Sequence, residues 1–222
     1  MKYEKRELKS LIQVDKIVTI HYFELSKDFF YPPETHNFWE LHYVDKGTAI
    51  SVNQDKIIEL NSGEVYFHKP NDKHQLRSNG IIPPNVCVIS FVSQSKSLDT
   101  IENKKLKLSQ EQKSIISRFL SEANANFDIS HSSPETNKLT LRKNRPLGGD
   151  QMLKIYIEEF LLSLVRELSI KKQTVNSILQ IDEYNDSLIN SIIAYFRENI
   201  TKNLTLAEIC NNFHFSKSYI CK

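Results

Sequence analysis

The 222-residue chain is poor in the features that mark several large protein classes. Its three cysteines, Cys87, Cys210 and Cys221, are odd in number, far apart and without a C-x-x-C pair. They read as incidental thiols in a reducing compartment, not as a disulfide framework. No run of eighteen apolar residues occurs, and the greasiest stretch, 155–168, carries Glu158, Glu159, Arg166 and Glu167, so a membrane span is excluded. The opening MKYEKRELKS is charged and lacks the apolar core of an export signal, which makes the cytoplasm the expected location. There is no H-E-x-x-H motif, no phosphate-cradling glycine loop and no Ser-His-Asp spacing, so an enzyme is not expected. Charge is nearly balanced as well. The net value is +2, and all of that excess lies from Leu188 onward, where Arg197, Lys202, Lys217 and Lys222 face Glu198 and Glu208. A basic bias confined to one end fits a phosphate-facing segment.

What is present falls into successive textures. Residues 17–92 are strand-like: 17–25, 38–45, 48–53, 56–60, 64–69 and 86–92 are short and rich in Val, Ile, Tyr and Phe. Turn chemistry separates them (YPPE, DKG, NQD, NSG, PND, SNG), and no gap has room for a crossover helix. This predicts an all-β sandwich or small barrel.

From residue 109 the period becomes helical. Ser109 and Gln112 have capping-box spacing, and Ile115, Ile116, Phe119, Leu120 and Ala123 line one face. Residues 128–150 are polar, with two prolines and Gly148–Gly149, and read as a loop; its Lys138, Arg142, Lys143 and Arg145 fit a solvated loop better than a nucleic-acid patch. The span 151–169 predicts a helix with an unusually broad apolar face, built on Leu153, Tyr156, Ile157, Phe160, Leu161, Leu164 and Leu168. Such width suits contact on two sides, with the chain's own β layer and with a second copy, although burial within one chain would also explain it. Residues 171–187 read as a linker with some helical character.

The last segment predicts an amphipathic helix over 187–200 and a second helix opened by Thr205 and Glu208 at capping-box spacing, with Leu204 and Ile209 at staple positions. His214 marks a turn, and Ser216 can cap a third helix. This is helix-turn-helix spacing, with Ser216, Lys217, Ser218, Tyr219 and Lys222 on or near the side that would face DNA.

Taken in order, these motifs resemble the AraC/XylS family of bacterial transcription regulators. The carrying residues are 36–44 (HNFWELHYV), Gly47, 60–67 (LNSGEVYF), Pro70, His74, the helix around Tyr156-Ile157-Glu158, and the LTL run from Leu204. The resemblance implies an α+β chain: a cupin-like β-barrel or jelly roll over 1–108, a helical dimerisation segment over 109–170, a linker over 171–187, and a helix-turn-helix DNA-binding domain begun over 188–222. It further implies a small polar, sugar-like effector in the barrel, promoter DNA as partner and a homodimer. The expected effector contacts are His36, Glu40, His42, Tyr66 and His74. Because the family's DNA module has two such units and only the first is represented, this domain is expected to be incomplete and marginally ordered by itself.

Cupin enzymes hold a metal with similarly placed residues, and His36, Glu40 and His74 match three of the four positions; six residues separate Glu40 from Gly47, as that motif requires. Position 34 is glutamate where histidine is expected, and the second motif is one residue tight. No cofactor is therefore expected. A divalent ion at His36, Glu40 and His74, with a metal-dependent enzyme as its consequence, is the alternative, and an effector-binding dimerisation fragment without DNA binding is another. His21, His131 and Trp39 receive no role.

Overall fold

The computed structural model describes residues 3–129, 137–199, 204–213 and 216, the side chains of 173–188 excepted. The chain divides into two units, Met1–Leu168 and Ser169–Lys222. In the first, strands β1 (Lys16–Glu24), β2 (Trp39–Lys46), β3 (Thr48–Asn53), β4 (Lys56–Asn61), β5 (Glu64–His68), β6 (His74–Ser78), β7 (Asn85–Val92) and β8 (Lys105–Lys107) precede helix α1 (Gln110–Asn126). Two sheets form, β1-β7-β2-β5-β8 and β4-β3-β6. All registers between neighbouring strands are antiparallel. The expected α+β class, a β sandwich followed by helices, is what is found.

The five-stranded sheet is buried on both faces, and the two-residue period of a strand separates their chemistry. Leu41, Tyr43, Val65, Phe67, Cys87, Ile89 and Phe91 point to one side. There they pack on Ile115, Ile116 and Phe119 of α1 and on Leu153, Ile157, Phe160, Leu161 and Leu164 of α2 (Gly149–Glu198). The alternate residues Glu40, His42, Val44, Tyr66, His68, Val86, Val88 and Ser90 face the second sheet. Most of the broad face of 151–169 is thus taken up inside its own chain, leaving Ile155 45% exposed.

Local signals set the element boundaries. Ser109 accepts from the Gln112 amide while the Gln112 side chain accepts from the Ser109 amide, the reciprocal box expected at the start of α1. Gly149 begins α2 where a Cβ would overlap the Asn126 side chain. Beyond residue 170 the helical character expected of 171–187 extends through the whole stretch, whose backbone continues into the helix predicted over 187–200. No proline or glycine lies between Asp150 and Glu198, so nothing interrupts the i→i−4 hydrogen bonding. The basic loop has structural partners, because Arg142 Nε donates to the Phe127 carbonyl at 2.8 Å and Arg145 pairs with Asp150 at 3.3 Å.

In the second unit α3 (Leu206–Phe213) starts with the expected box. The Thr205 amide donates to Glu208 Oε2 at 2.8 Å, and the Glu208 amide donates to Thr205 Oγ1 at 3.3 Å. Ile209 and Cys210 are buried, and the Tyr195 and Phe213 rings meet edge to face at 5.5 Å. Among the described residues, no helix is long and apolar enough to cross a membrane.

Gly47 joins β2 to β3 at φ +72°, a region disfavoured for residues with a Cβ, and a Cβ here would also collide with the Pro83 carbonyl. Gly47→Ala is expected to destabilise the chain by at least about 2 kcal/mol, read as a lower urea midpoint with unchanged slope.

Candidate functional site

Between the sheets lies a cavity of about 300 Å³. Its lining combines apolar side chains, Val18, Phe23, Phe29, Phe38, Leu76 and Val88, with polar ones, Thr19, Glu34, His36, Glu40, His42 and Ser90. Such a lining suits a small molecule that has both apolar surface and hydrogen-bonding groups.

Glu40 is the centre of the polar contacts. Strand register places it opposite Ser90 on β7 and His68 on β5. It is 5% exposed, so its charge must be met within the protein. Ser90 Oγ donates to Oε2 at 2.7 Å, His42 Nε2 lies 2.9 Å from Oε1, and His74 Nε2 lies 3.2 Å from the same oxygen. His36 Nε2 stands 3.4 Å from Oε2. Burial pushes the Glu40 carboxyl up, but the gathered imidazoles of His36, His42 and His74 overcome this and hold it well below its usual range.

Hydrogen positions follow from the acceptors. A carboxylate only accepts, so His42 Nε2 carries its proton and donates, leaving Nδ1 to accept from Ser51 Oγ at 3.0 Å. Ser51, having given its hydrogen to His42, accepts from His68 Nε2 at 2.8 Å. The relay His68→Ser51→His42→Glu40 thus runs one way with neutral rings. Burial lowers both the His42 and His68 constants, that of His68 well below the ordinary value, which agrees with neutral rings. His74 differs: burial lowers its constant, but the Glu40 carboxylate raises it further, for a net upward shift. Glu34 is raised, by burial first and then by the charge of Glu40.

Ser51, His42 and Glu40 have the connectivity of a nucleophile triad. Ser51, however, is 0% exposed and is not part of the cavity wall, so a substrate has no route to its oxygen.

Of the expected effector contacts, His36, Glu40 and His42 line the cavity, and His74 joins them through Glu40. Tyr66 does not line it. Its hydroxyl accepts from Asn53 Nδ2 at 3.2 Å, and its ring packs in the apolar cluster with Leu60 and Val86. Sequence reading passed over Ser90, Thr19 and Phe23, which strand pairing brings to the cavity, over Phe29 from the segment between β1 and β2, and over His21, which lines it and stacks on Phe23 at 4.8 Å. Glu34 is placed by a two-bond bridge: its amide donates to the His74 carbonyl at 2.9 Å, and the His74 amide donates back at 3.0 Å. Of the expected DNA contacts, Ser216 is exposed, while Lys217, Ser218, Tyr219 and Lys222 lie outside the described residues.

Comparison with known proteins places this geometry. Residues 18–81 match the family model described as the AraC-like ligand binding domain, a span running from β1 through β6. A 44-residue stretch is 39% identical to the HTH-type transcriptional activator RhaS of Pectobacterium carotovorum subsp. carotovorum (strain PC1), covering 20% of this chain and 16% of that protein. Among solved structures, unsaturated fatty acid bound ToxT from Vibrio cholerae strain SCE256 is similar at 12% identity and a TM-score of 0.41, over 92% of this chain and 72% of that one. The AraC-like transcriptional activator CuxR is similar at 10% identity and a TM-score of 0.35, over 82% and 59%. The match over residues 18–81 agrees with the resemblance to the AraC family seen in the sequence.

Removing the Ser90 hydroxyl takes a donor from a buried carboxylate. Ser90→Ala is expected to cost about 1.5–3 kcal/mol in chemical denaturation, against under about 0.5 kcal/mol for a surface change such as Ser97→Ala.

Proposed function

We propose that this AraC-type chain is a transcription regulator, acting in the cytoplasm, whose β sandwich receives a small polar effector and whose segment from residue 188 onward contacts promoter DNA. The observation that carries the reading is the cavity, lined mostly by residues of 18–81, that sets apolar side chains around the Glu40 cluster. Its size suits a compact effector, and the carboxylate and imidazoles suit one bearing hydroxyl or other hydrogen-bonding groups, as a sugar does. His36, Glu40 and His42 would contact it, with Ser90 and Glu34 beside them. Support for the DNA-facing role is the capped α3, with Ile209 and Cys210 turned inward, in a segment holding the chain's basic excess. Pairing of two chains through α2 belongs to the same reading, with Ile155 as apolar surface left by the chain's own core.

Effector binding would alter transcription only so far as it favours one arrangement of the DNA-contacting segments over another. An effector at one hundred times its Kd is expected to stabilise the chain by about 2.7 kcal/mol, a rise in Tm of about 5–10 °C. Screening sugars, sugar acids and polyols by thermal unfolding checks this, and Val88→Phe, which fills the cavity, should abolish the shift. A shift that survives in Val88→Phe would place the ligand elsewhere. For DNA, mobility-shift titration with the chain's own upstream region should show specific binding that weakens steeply with salt, and equal affinity for scrambled sequence would refute promoter recognition.

A further inference from the structure

Two imidazoles beside Glu40 have already committed their protons. His36 Nδ1 lies 3.1 Å from the Phe38 carbonyl oxygen, and His74 Nδ1 lies 2.9 Å from the Asp72 carbonyl oxygen. A carbonyl oxygen can only accept, so each Nδ1 carries the hydrogen and each Nε2 of a neutral ring presents a lone pair. Both lone pairs are aimed at carboxylates: His36 Nε2 at Glu40 Oε2, 3.4 Å away, and His74 Nε2 at Glu40 Oε1, 3.2 Å, and Glu34 Oε1, 3.9 Å. His36 Nε2 is buried and makes no hydrogen bond. With both rings neutral, acceptors from four residues converge with no hydrogen between them, an arrangement that calls for positive charge in their midst, either as added protons or as a cation.

We infer that Glu34, His36, Glu40 and His74 form a binding site for one divalent first-row transition-metal ion. One donor atom from each residue lies within 4.8 Å of all the others. A tetrahedral ion with bonds of about 2.0–2.1 Å sets its ligand atoms about 3.3 Å apart, close to the spacings at Glu40. The surroundings hold the donors in place. Both rings are oriented through Nδ1 by backbone carbonyls, and Glu40 is fixed by the Ser90 hydroxyl and the His42 N–H. The Glu34–His74 bridge and a 2.7 Å bond from the Asn71 amide to the His36 carbonyl tie the two loop-borne donors, Glu34 and His36, to the segment that carries His74. Two imidazole nitrogens with two carboxylate oxygens suit zinc, cobalt, nickel, manganese or iron(II), and the lack of thiolate disfavours copper(I). The glutamate at 34, which counts against an ion when a histidine is expected there, is itself a donor.

Two protons, one on each ring, would supply the same charge as a divalent ion, so the experiment must separate them. The full chain, stripped with chelator, is titrated with Co²⁺ alone and followed by ligand-field absorption, and by calorimetry in two buffers of different ionisation enthalpy. One Co²⁺ per chain is expected, displaced by Zn²⁺ and accompanied by proton release. Glu34→Gln should weaken binding at least about tenfold and His36→Gln about a hundredfold, with Glu34→Asp largely retaining it. Glu34 and His36 lie partly exposed outside the strands, and circular dichroism verifies that the variants fold. No binding at about 1 mM Co²⁺, or equal affinity in folded Glu34→Gln and His36→Gln, would overturn the ion site. The effector reading is separate: a chain that refuses Co²⁺ yet is stabilised by an effector would refute this inference and leave that reading intact.

Discussion

The buried carboxylate of Glu40 is the constraint around which the sandwich interior is arranged. An ionised group taken out of water is tolerated only where its lone pairs are met, and each partner must then be held in place. Ser90 comes from β7, His42 from the next inward position of β2, and His74 from the first residue of β6 in the opposite sheet. One side chain thereby couples both sheets. The relay through Ser51 to His68 extends the coupling from β2 to β3 and β5. A polar network of this kind rigidifies the interior when it is satisfied.

That arrangement is possible because the five-stranded sheet is covered twice. The centre of its helix-side face is apolar and continuous with the core on α1 and α2, and this burial anchors the strands firmly. The inward face can then carry glutamate, histidine and serine without being the main source of stability. Strand alternation keeps the two roles apart residue by residue: Leu41 and Tyr43 serve the core, while Glu40 and His42 serve the site.

Much of this was legible in the chain itself. Strands β2, β3, β4 and β7 lie within one or two residues of the runs of branched and aromatic side chains that announced them, and the boxes at Ser109 and Thr205 form as their spacing implied. β6, with the sequence HQLRS, escaped because it has no β-branched or aromatic residue; pairing with β3 makes it a strand. The polar composition of 171–187 suggested a linker with some helical character; without glycine or proline a helix already under way continues through all of it. Tyr66 shares the inward parity of His42 and His68 but belongs to the apolar cluster, because parity selects a face and not a position along it.

By itself the sequence determined the α+β class, the capped helices and three of the side chains on the cavity wall, His36, Glu40 and His42, since these depend on short-range periodicity, turn chemistry and a compact motif. Only the tertiary structure decided the rest of the site. Ser90 reaches Glu40 across fifty residues, His74 across thirty-four, and Glu34 is brought to His74 by a backbone bridge. The direction of each imidazole proton was likewise fixed by the carbonyl or hydroxyl that folding set beside it. The reason is physical: which face a residue occupies is written in local periodicity, but which groups meet there is a property of strand register between distant segments.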